Sequence, residues 1–459
     1  MSYESFIAGK LGIISSAGID APLRDYALFP HQADLTRWAL RRGRAAIFAD
    51  TGLGKMRMAI AWADAVVAHT GCPVIILCPL AVAQQFVAEG LLMGITVTHC
   101  REASDVRPGI CVTNYDRLHK FDMRKFSGVA LDESSIIKHH ASKTLALLMD
   151  AFAATPYKLC CTATPSPNDW TELGTHAEFL GVRSRSEMLA EFFVHDGGDT
   201  SVWRLKGHAR AVFWRWVSSW GAMIRSPSDL GHDASAYELP PLHMHQHVVE
   251  IEHNTAHGLF AAEAQTLTER RQARRDSMAQ RVQACADLVN SDDQPWVVWC
   301  DLNDEGDMLE RAIAGSVQVA GADDNDTKER RMVDFAAGRA RVLVSKQKIC
   351  GWGMNWQHCA NQAFVGINDS YEGFYQAVRR SWRFGQMREV NIHVFASNQD
   401  GAVVANIRRK QAAAEEMATS MAAETLAAVR ESVLGAIKDT NIYRPDRRIS
   451  IPSFLEFAS

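Results

Sequence analysis

The stretch Arg44–Lys55, which reads RAAIFADTGLGK, decides the fold. Its apolar half, Ala45–Ala49, has the length and composition of a buried strand. The glycine-rich half leads into a helical pattern, and such a loop presents backbone N–H groups and the positive end of a helix to anions. Lys55 stands where its ammonium group would reach the β and γ phosphates of a nucleotide. The stretch therefore predicts a phosphate-binding loop between a strand and a helix.

Short apolar runs alternate with helical patterns on both sides of this loop. One set runs from Arg44 to Pro165, and a second set of similar size runs from about residue 294 to Phe395. This alternation indicates parallel sheets with helices on both faces. We predict two α/β units, at residues 1–168 and 294–398, separated by a helical insertion and linker at 169–293. A helical extension at 399–459 is either an interaction surface or a strut packed on the second unit, and we expect the strut.

The composition is that of an ordinary globular protein. The chain has 459 residues, of which 47% are hydrophobic and 22% charged, which excludes disordered, collagen-like and coiled-coil classes. Its 49 basic and 53 acidic residues give a net charge of −4, so only local patches could hold a nucleic acid. The ten cysteines have no metal-ligand spacing, and no apolar run approaches the ~20 residues that span a bilayer. We expect a cytoplasmic protein with no membrane partner.

Two adjacent carboxylates close another apolar run, GVALDE, at residues 128–133. An Asp–Glu pair at a strand end is usually only solvated, but this pair follows a phosphate-binding loop in the chain. Nucleotide hydrolysis needs one carboxylate that holds Mg²⁺ and one that polarises the attacking water. Asp132 is therefore predicted as the metal ligand, and Glu133 as the group that orients or deprotonates the water.

The motifs, taken in order, resemble those of superfamily-two helicases and translocases. The first unit carries FPHQ around Gln32, the loop Asp50–Lys55, CPLAVAQQF around Pro79, TNYDRL around Thr113, DESS at Asp132–Ser135 and TATP at Thr162–Pro165. The second unit carries GWGMNWQ at Gly351–Gln357 and QAVRRSWRFGQ at Gln376–Gln386. Single motifs are weak, but the ordered set is specific. It implies two RecA-like lobes that clamp ATP between them.

The resemblance implies a role for each matched residue. Lys55 would hold the phosphates and Gln32 would read adenine. Arg380 and Arg383, three apart on a predicted helix, would reach phosphates held by the other lobe. The other residues implied to contact the nucleotide are Asp50, Thr51, Gly52, Leu53, Gly54, Met56, Gly353 and Asn355. The residues implied to touch the tracked strand are Thr113 and Thr164. The implied cofactors are ATP and Mg²⁺.

Several features resemble one branch, the chromatin-remodeller-like (SWI/SNF-type) translocases that track along double-stranded DNA. These features are DTGLGK, CPLAVAQQF, a helical insertion followed by LPPL, and the ending RFGQ. The sequence has none of the DEAD, SAT and IGR motifs of the RNA-directed group, which favours DNA as the partner. The compact chain, with DESS in place of DEAH, also resembles small members encoded by bacteriophages and prophages.

We therefore predict an ATP-dependent motor that moves along or remodels duplex DNA. Two alternatives stay open. One is a strand-separating helicase on DNA or RNA, and the other is a nucleotide-gated, nucleic-acid-binding clamp with little ATP turnover. The sequence does not distinguish duplex from single-strand preference, the direction of movement, protein partners or oligomeric state.

One position departs from the family pattern. Where the family has a Thr or Ser whose hydroxyl ligates Mg²⁺, this chain has Met56, and a thioether is a poor ligand for a hard cation. The metal would then be held by Asp132, the phosphates and water. The departure predicts weaker metal affinity.

A stretch at residues 202–225 interleaves basic and aromatic side chains, as nucleic-acid-binding surfaces do. Its aromatic spacing is also that of one buried helix face, which favours core packing. The residues predicted to be buried are Phe213, Trp216, Val217 and Trp220. Arg204, Lys206, Arg210 and Arg215 are left as residues that would face DNA, and Arg204 and Arg210 are the two we assign to DNA contact.

Overall fold

The computed structural model describes residues 18–20, 22–79, 82–166, 169–196, 199–249, 275–350, 354–365 and 371–397, with further single positions between 419 and 434. The strands, in chain order, are β1 (Arg44–Ala49), β2 (Val74–Cys78), β3 (Val97–His99), β4 (Ile110–Asn114), β5 (Gly128–Asp132), β6 (Tyr157–Thr162), β7 (Phe193–Asp196), β8 (Asp199–Leu205), β9 (Gly221–Ile224), β10 (Leu242–Val249), β11 (Trp296–Cys300), β12 (Ser316–Val319), β13 (Val342–Lys346), β14 (Asn361–Phe364) and β15 (Val390–Ser397). The α-helices are Pro30–Arg42, Lys55–Thr70, Ala83–Leu92, Lys143–Ala151, Leu173–Phe179, Arg185–Phe192, Arg210–Trp220, Met278–Asn290, Asn303–Ala312, Asn325–Ala336, Gln347–Cys350 and Tyr371–Val378.

Seven of the described strands form one sheet in the order β3-β4-β2-β5-β6-β1-β9, and every neighbouring pair is parallel. Its strands are nearly continuous apolar runs because both faces are covered. Along β1, Ile47 joins the core formed with the helices that begin at Pro30 and Lys55, whereas Phe48 joins the core on the opposite face. We call this sheet and its helices the first lobe.

Six described strands form a second sheet in the order β10-β15-β14-β11-β13-β12, again with parallel neighbours only. Trp299 and Val298 on β11 point into separate cores on its two faces. We call this sheet and its helices the second lobe. The two parallel sheets flanked by helices confirm the predicted α/β fold with two RecA-like lobes.

The segment predicted as a helical insertion also contributes strands. β9 adds to the first sheet beside β1, β10 adds to the second sheet beside β15, and β7 and β8 pair antiparallel. The prediction missed β9 because its four residues follow a helix directly, without a turn signal. A Cβ at Gly221 would lie 3.0 Å from Phe48, so glycine allows β9 to approach β1. The division of the chain into four parts stays a prediction.

The helix Arg210–Trp220 is largely a core element. Phe213, Trp216, Val217 and Trp220 are all buried in the first lobe, as their spacing predicts. Trp214, which the spacing did not include, is buried as well.

The described positions of the C-terminal extension lie on the first lobe, not on the second. Val429 and Val433 belong to the core that covers one face of the first sheet. Arg41 donates to the carbonyl of Val433 at 3.3 Å, and Arg225 donates to Thr419 Oγ1 at 2.7 Å. The expected packing on the second lobe was therefore wrong for these positions, because amphipathic spacing does not identify the face that a helix covers. Among the described helices, none combines the length and apolar character needed to cross a membrane.

Candidate active site

The phosphate-binding loop has the backbone that its glycines predict. Gly52 and Gly54 have φ values of 92° and 83°, in the left-handed region that glycine adopts without strain. A Cβ at Gly54 would lie only 2.1 Å from Gln32 Nε2, so this position has no room for a side chain. The helix begins at Lys55, whose Nζ donates to the carbonyls of Ala49 at 2.9 Å and Asp50 at 3.3 Å. The loop thus curls around its own lysine at the carboxyl end of β1.

The predicted carboxylate pair lies beside this lysine. Asp132 ends β5, and burial together with the charge of Glu133 raises the pKa of Asp132 to about 7. Glu133 has a φ of 52°, a left-handed conformation that is rare outside glycine and often found at functional sites. Its Oε2 atom is buried without a hydrogen-bond partner. Burial lowers the pKa of Lys55, and the nearby carboxylates oppose that shift.

Both predicted arginines approach the carboxylates from the second lobe. Arg380 is buried, with its Nη2 4.0 Å from Glu133 Oε1, and it donates to the carbonyls of Met354 and Gln376. Arg383 donates to Met354 O at 3.4 Å, and its Nε is buried without a partner. Burial and the neighbouring Arg380 lower the pKa of Arg383 to about 10. Two guanidinium groups and two carboxylates therefore meet across the lobe interface.

A cleft of about 500 Å³ joins these groups, and we call it the nucleotide cleft. It brings together most residues that the sequence assigned to nucleotide and catalysis, namely Gln32, Thr51, Gly52, Gly54, Lys55, Met56, Asp132, Glu133, Asn355, Arg380 and Arg383. Leu53, within the loop, has a buried side chain and does not line the cleft. Asp50 does not line it either, and Gly353 lies outside the described residues.

The side-chain amide of Gln32, which was predicted to read adenine, hydrogen-bonds to the protein backbone. Its Nε2 donates to Leu53 O at 3.2 Å, and its Oε1 accepts from Phe29 N at 3.1 Å. The side chain is 2% exposed. Both ends of the amide therefore brace the phosphate-binding loop against the preceding helix, and a role in reading adenine stays a prediction.

Aromatic side chains that the sequence reasoning did not assign border the cleft. Tyr237 and Phe384 lie with ring centroids 4.6 Å apart, and Phe29 meets both rings edge-on. Phe384 also contacts the phosphate-binding loop, since a Cβ on Gly52 would lie 2.9 Å from Phe384 Cβ. The RFGQ motif was the available signal for Phe384, whereas Tyr237 reaches the cleft only through tertiary folding.

The donor set fits Mg²⁺ and a nucleotide triphosphate. Carboxylate oxygens are ligands that Mg²⁺ prefers. Asp132 provides such oxygens, and beside it the Oε2 atom of Glu133 is buried without a hydrogen-bond partner. The cations Lys55, Arg380 and Arg383 line the same cleft and suit an anionic ligand. Met56 also lines the cleft, at the position where the family supplies a hydroxyl.

A hydroxyl in place of the Met56 thioether should increase the affinity for Mg²⁺. We expect Met56→Thr to lower the Mg²⁺ concentration that gives half-maximal ATP hydrolysis, because a hydroxyl is a better ligand for this cation than a thioether. A Mg²⁺ titration of wild type and variant at saturating ATP measures the change. Met56→Leu is the matched control without a hydroxyl, and equal Mg²⁺ requirements for the threonine and leucine variants would refute the interpretation.

The four residues predicted most directly to contact nucleic acid, Thr113, Thr164, Arg204 and Arg210, differ in exposure and in partners. Thr113 is fully buried on β4, and its contact with a nucleic-acid strand stays a prediction. Thr164 Oγ1 accepts from Gln376 Nε2 of the second lobe at 3.4 Å. Arg204 and Arg210 are exposed, and the Arg210 guanidinium lies over the Trp170 ring at 5.7 Å. Their contact with DNA stays a prediction.

A second cleft, of about 680 Å³, lies at the carboxyl ends of β2, β4 and β5. Both lobes contribute lysines to it, namely Lys138, Lys328 and Lys348, and we call it the lysine cleft. Asn114 Oδ1 and Ser135 Oγ line it and are buried without a hydrogen-bond partner. Glu133 borders both clefts. The sequence reasoning missed this cluster because its lysines are far apart in the chain and stand in no basic run.

Comparisons with known proteins give a structural likeness. No protein-family model matches the chain, and no curated protein sequence matches it. Among solved structures, the chain is similar to the Sulfolobus solfataricus SWI2/SNF2 ATPase core in complex with dsDNA. The similarity covers 88% of this chain and 98% of that chain, with 16% sequence identity and a TM-score of 0.39.

Proposed function

We propose that the protein is an ATP-dependent motor that moves along or remodels double-stranded DNA. The observation that carries the proposal is the meeting of Lys55, Asp132 and Glu133 with Arg380 and Arg383 in one cleft between two lobes. Phosphoryl transfer is catalysed mainly by positioning and by stabilising charge, and these groups have the charges required. Because the cleft needs both lobes, hydrolysis would be tied to their closure.

Each residue in the cleft has a distinct task in this proposal. Lys55 neutralises the phosphates, Asp132 holds Mg²⁺, and Glu133 orients or deprotonates the attacking water. When bound, Mg²⁺ supplies neutralisation of the charge on the phosphate oxygens. Arg380 and Arg383 stabilise the charge that develops on the transferred phosphoryl group.

The lysine cleft has the charge and the polar groups to bind a polyanion such as DNA. Its cations come from both lobes, its unpartnered polar groups can accept or donate hydrogen bonds, and it shares Glu133 with the nucleotide cleft. Ligands of parallel α/β sheets bind outside the carboxyl ends of the strands, where this cleft lies. Contacts of lysines with phosphates position a protein on DNA without reading sequence, so we expect little sequence specificity.

The salt dependence of DNA binding tests this interface. Each lysine that neutralises a phosphate contributes about one unit to the slope of log K against log salt. We expect Lys328→Ala/Lys348→Ala to weaken binding to a duplex oligonucleotide and to reduce that slope by about two. Fluorescence anisotropy over a range of salt concentrations measures both. Lys125→Ala, an exposed lysine that lines neither cleft, is the control. An unchanged slope in the double variant would contradict the proposed interface.

A further inference from the structure

The carboxylate of Asp50 is held by the second lobe. Its Oδ1 accepts from the backbone N–H of Thr51 at 2.6 Å and from Tyr375 OH at 2.9 Å, and its Oδ2 accepts from Arg379 Nη2 at 2.9 Å. The ion pair is largely shielded, with side-chain exposures of 10% for Arg379 and 19% for Asp50. These contacts join the phosphate-binding loop to the helix Tyr371–Val378 and the turn that follows it.

Arg379 differs in position from the two arginines beside it in the chain. Arg380 and Arg383 line the nucleotide cleft, whereas Arg379 lines a separate cavity of about 410 Å³ behind the loop. Its guanidinium lies 5.3 Å from the ring of Tyr375 and 4.8 Å from that of Trp382. Aromatic faces on a guanidinium restrict its orientation and favour its charge. Arg379 is therefore directed at Asp50 and away from the cleft.

The position of Asp50 affects the whole phosphate-binding loop. It follows the last residue of β1, and its backbone carbonyl accepts from Lys55 Nζ. Its backbone N–H donates to Ile224 O at 3.0 Å, so the residue is already tied to β9. A displacement of the Asp50 carboxylate would therefore move Thr51 and the start of the loop relative to the catalytic lysine.

We propose that Tyr375 and Arg379 are positioning residues that clasp Asp50 and hold the phosphate-binding loop in register with the second lobe when the lobes close. We call Asp50, Tyr375 and Arg379 the interlobe clasp. The inference rests on the proposed function for its effect on catalysis. The clasp sets the lobe arrangement in which Arg380 and Arg383 reach the phosphates, and it makes no contact with the nucleotide.

Interlobe fluorescence energy transfer tests the clasp without reference to catalysis. Labels would be introduced through unnatural amino acids at Leu147 in the first lobe and Arg311 in the second, because both are exposed and the ten cysteines complicate thiol labelling. In the full-length protein we expect Arg379→Met and Tyr375→Phe to lower the transfer efficiency. Arg339→Met, which breaks an exposed ion pair within the second lobe, should leave it unchanged.

The second test of the clasp measures kcat for ATP hydrolysis and the Kd of an ATP analogue. A misplaced loop can cost about 10²-fold in rate, so we expect Arg379→Met to lower kcat for ATP hydrolysis by about that factor. The Kd of a fluorescent ATP analogue should change by less than about threefold, since the substitution removes no group that contacts the bound nucleotide. Arg379→Lys should recover part of kcat. Adding Asp50→Asn to Arg379→Met should cost less than about threefold more, because the pair is already broken.

The fluorescence and kinetic experiments together distinguish failure of the clasp from failure of the proposed function. A transfer efficiency for Arg379→Met equal to that of wild type would overturn the clasp, as would fully additive effects of Asp50→Asn and Arg379→Met. Wild-type protein that hydrolyses no ATP would refute the proposed function, and the fluorescence experiment would still decide whether the clasp holds the lobes.

Discussion

Arg380→Ala will lower kcat for ATP hydrolysis by about 10³-fold or more, the size of effect found for arginines that stabilise phosphoryl transfer. Arg380 is buried in the lobe interface, with its guanidinium 4.0 Å from Glu133, and it lines the nucleotide cleft. Removing it leaves the developing phosphoryl charge without its partner from the second lobe, at a cost of about 4 kcal/mol in the barrier. Steady-state hydrolysis in the presence of duplex DNA measures the loss.

Arg380 also has a structural role that the experiment must separate. It donates to the carbonyls of Met354 and Gln376, so alanine removes these hydrogen bonds as well. Arg380→Lys keeps the positive charge without the fork of guanidinium donors and should recover only part of the rate. Arg339→Ala in the same lobe is the exposed control. A fall of less than about tenfold for Arg380→Ala, with the thermal unfolding temperature unchanged, would be too small for an arginine that stabilises the transition state.

Glu133→Gln will lower kcat by about 10²- to 10⁴-fold, the usual contribution of a general base, while ATP binding is kept. The substitution preserves shape and removes the charge of a carboxylate whose Oε2 has no hydrogen-bond partner in the structure. The left-handed backbone at this residue directs the side chain from the end of β5 into the cleft. Single-turnover hydrolysis and equilibrium binding of a fluorescent ATP analogue distinguish the two effects.

A matched variant controls for the loss of negative charge in the cleft. Glu89 lines the same cleft and pairs with Arg57 at 3.3 Å. Glu89→Gln should therefore change kcat by less than about threefold. Equal rates for Glu133→Gln and wild type would show that another group handles the water and would remove Glu133 from the mechanism.

The parts of the site that sequence predicts best are those set by neighbours in the chain. A glycine-rich turn after an apolar strand fixes the backbone around Lys55, and a strand end fixes Asp132, so both could be placed from local pattern. Arg380 and Arg383 both line the nucleotide cleft, but the predicted helix that was to carry them ends at Val378, and both residues lie in the turn that follows it. These features depend on backbone geometry over a few residues.

The parts that sequence did not predict depend on contacts between distant segments. Asp50 was assigned to the nucleotide, but two of the three partners of its carboxylate, Tyr375 and Arg379, lie more than three hundred positions away. The burial of Thr113 was not predicted either, and it follows from the position of β4 between β3 and β2 in the sheet. The lysine cleft forms only when the two lobes meet. A single sequence gives no measure of such long-range pairing.

The most direct test of the account is steady-state ATP hydrolysis without nucleic acid and with single-stranded DNA, double-stranded DNA or RNA, with Lys55→Ala as the blank. The account predicts hydrolysis that duplex DNA stimulates most and that Lys55→Ala abolishes. Stimulation chiefly by single strands or RNA would favour a strand-separating helicase instead. Turnover no higher than that of Lys55→Ala under every condition would contradict a motor and leave a nucleotide-gated clamp.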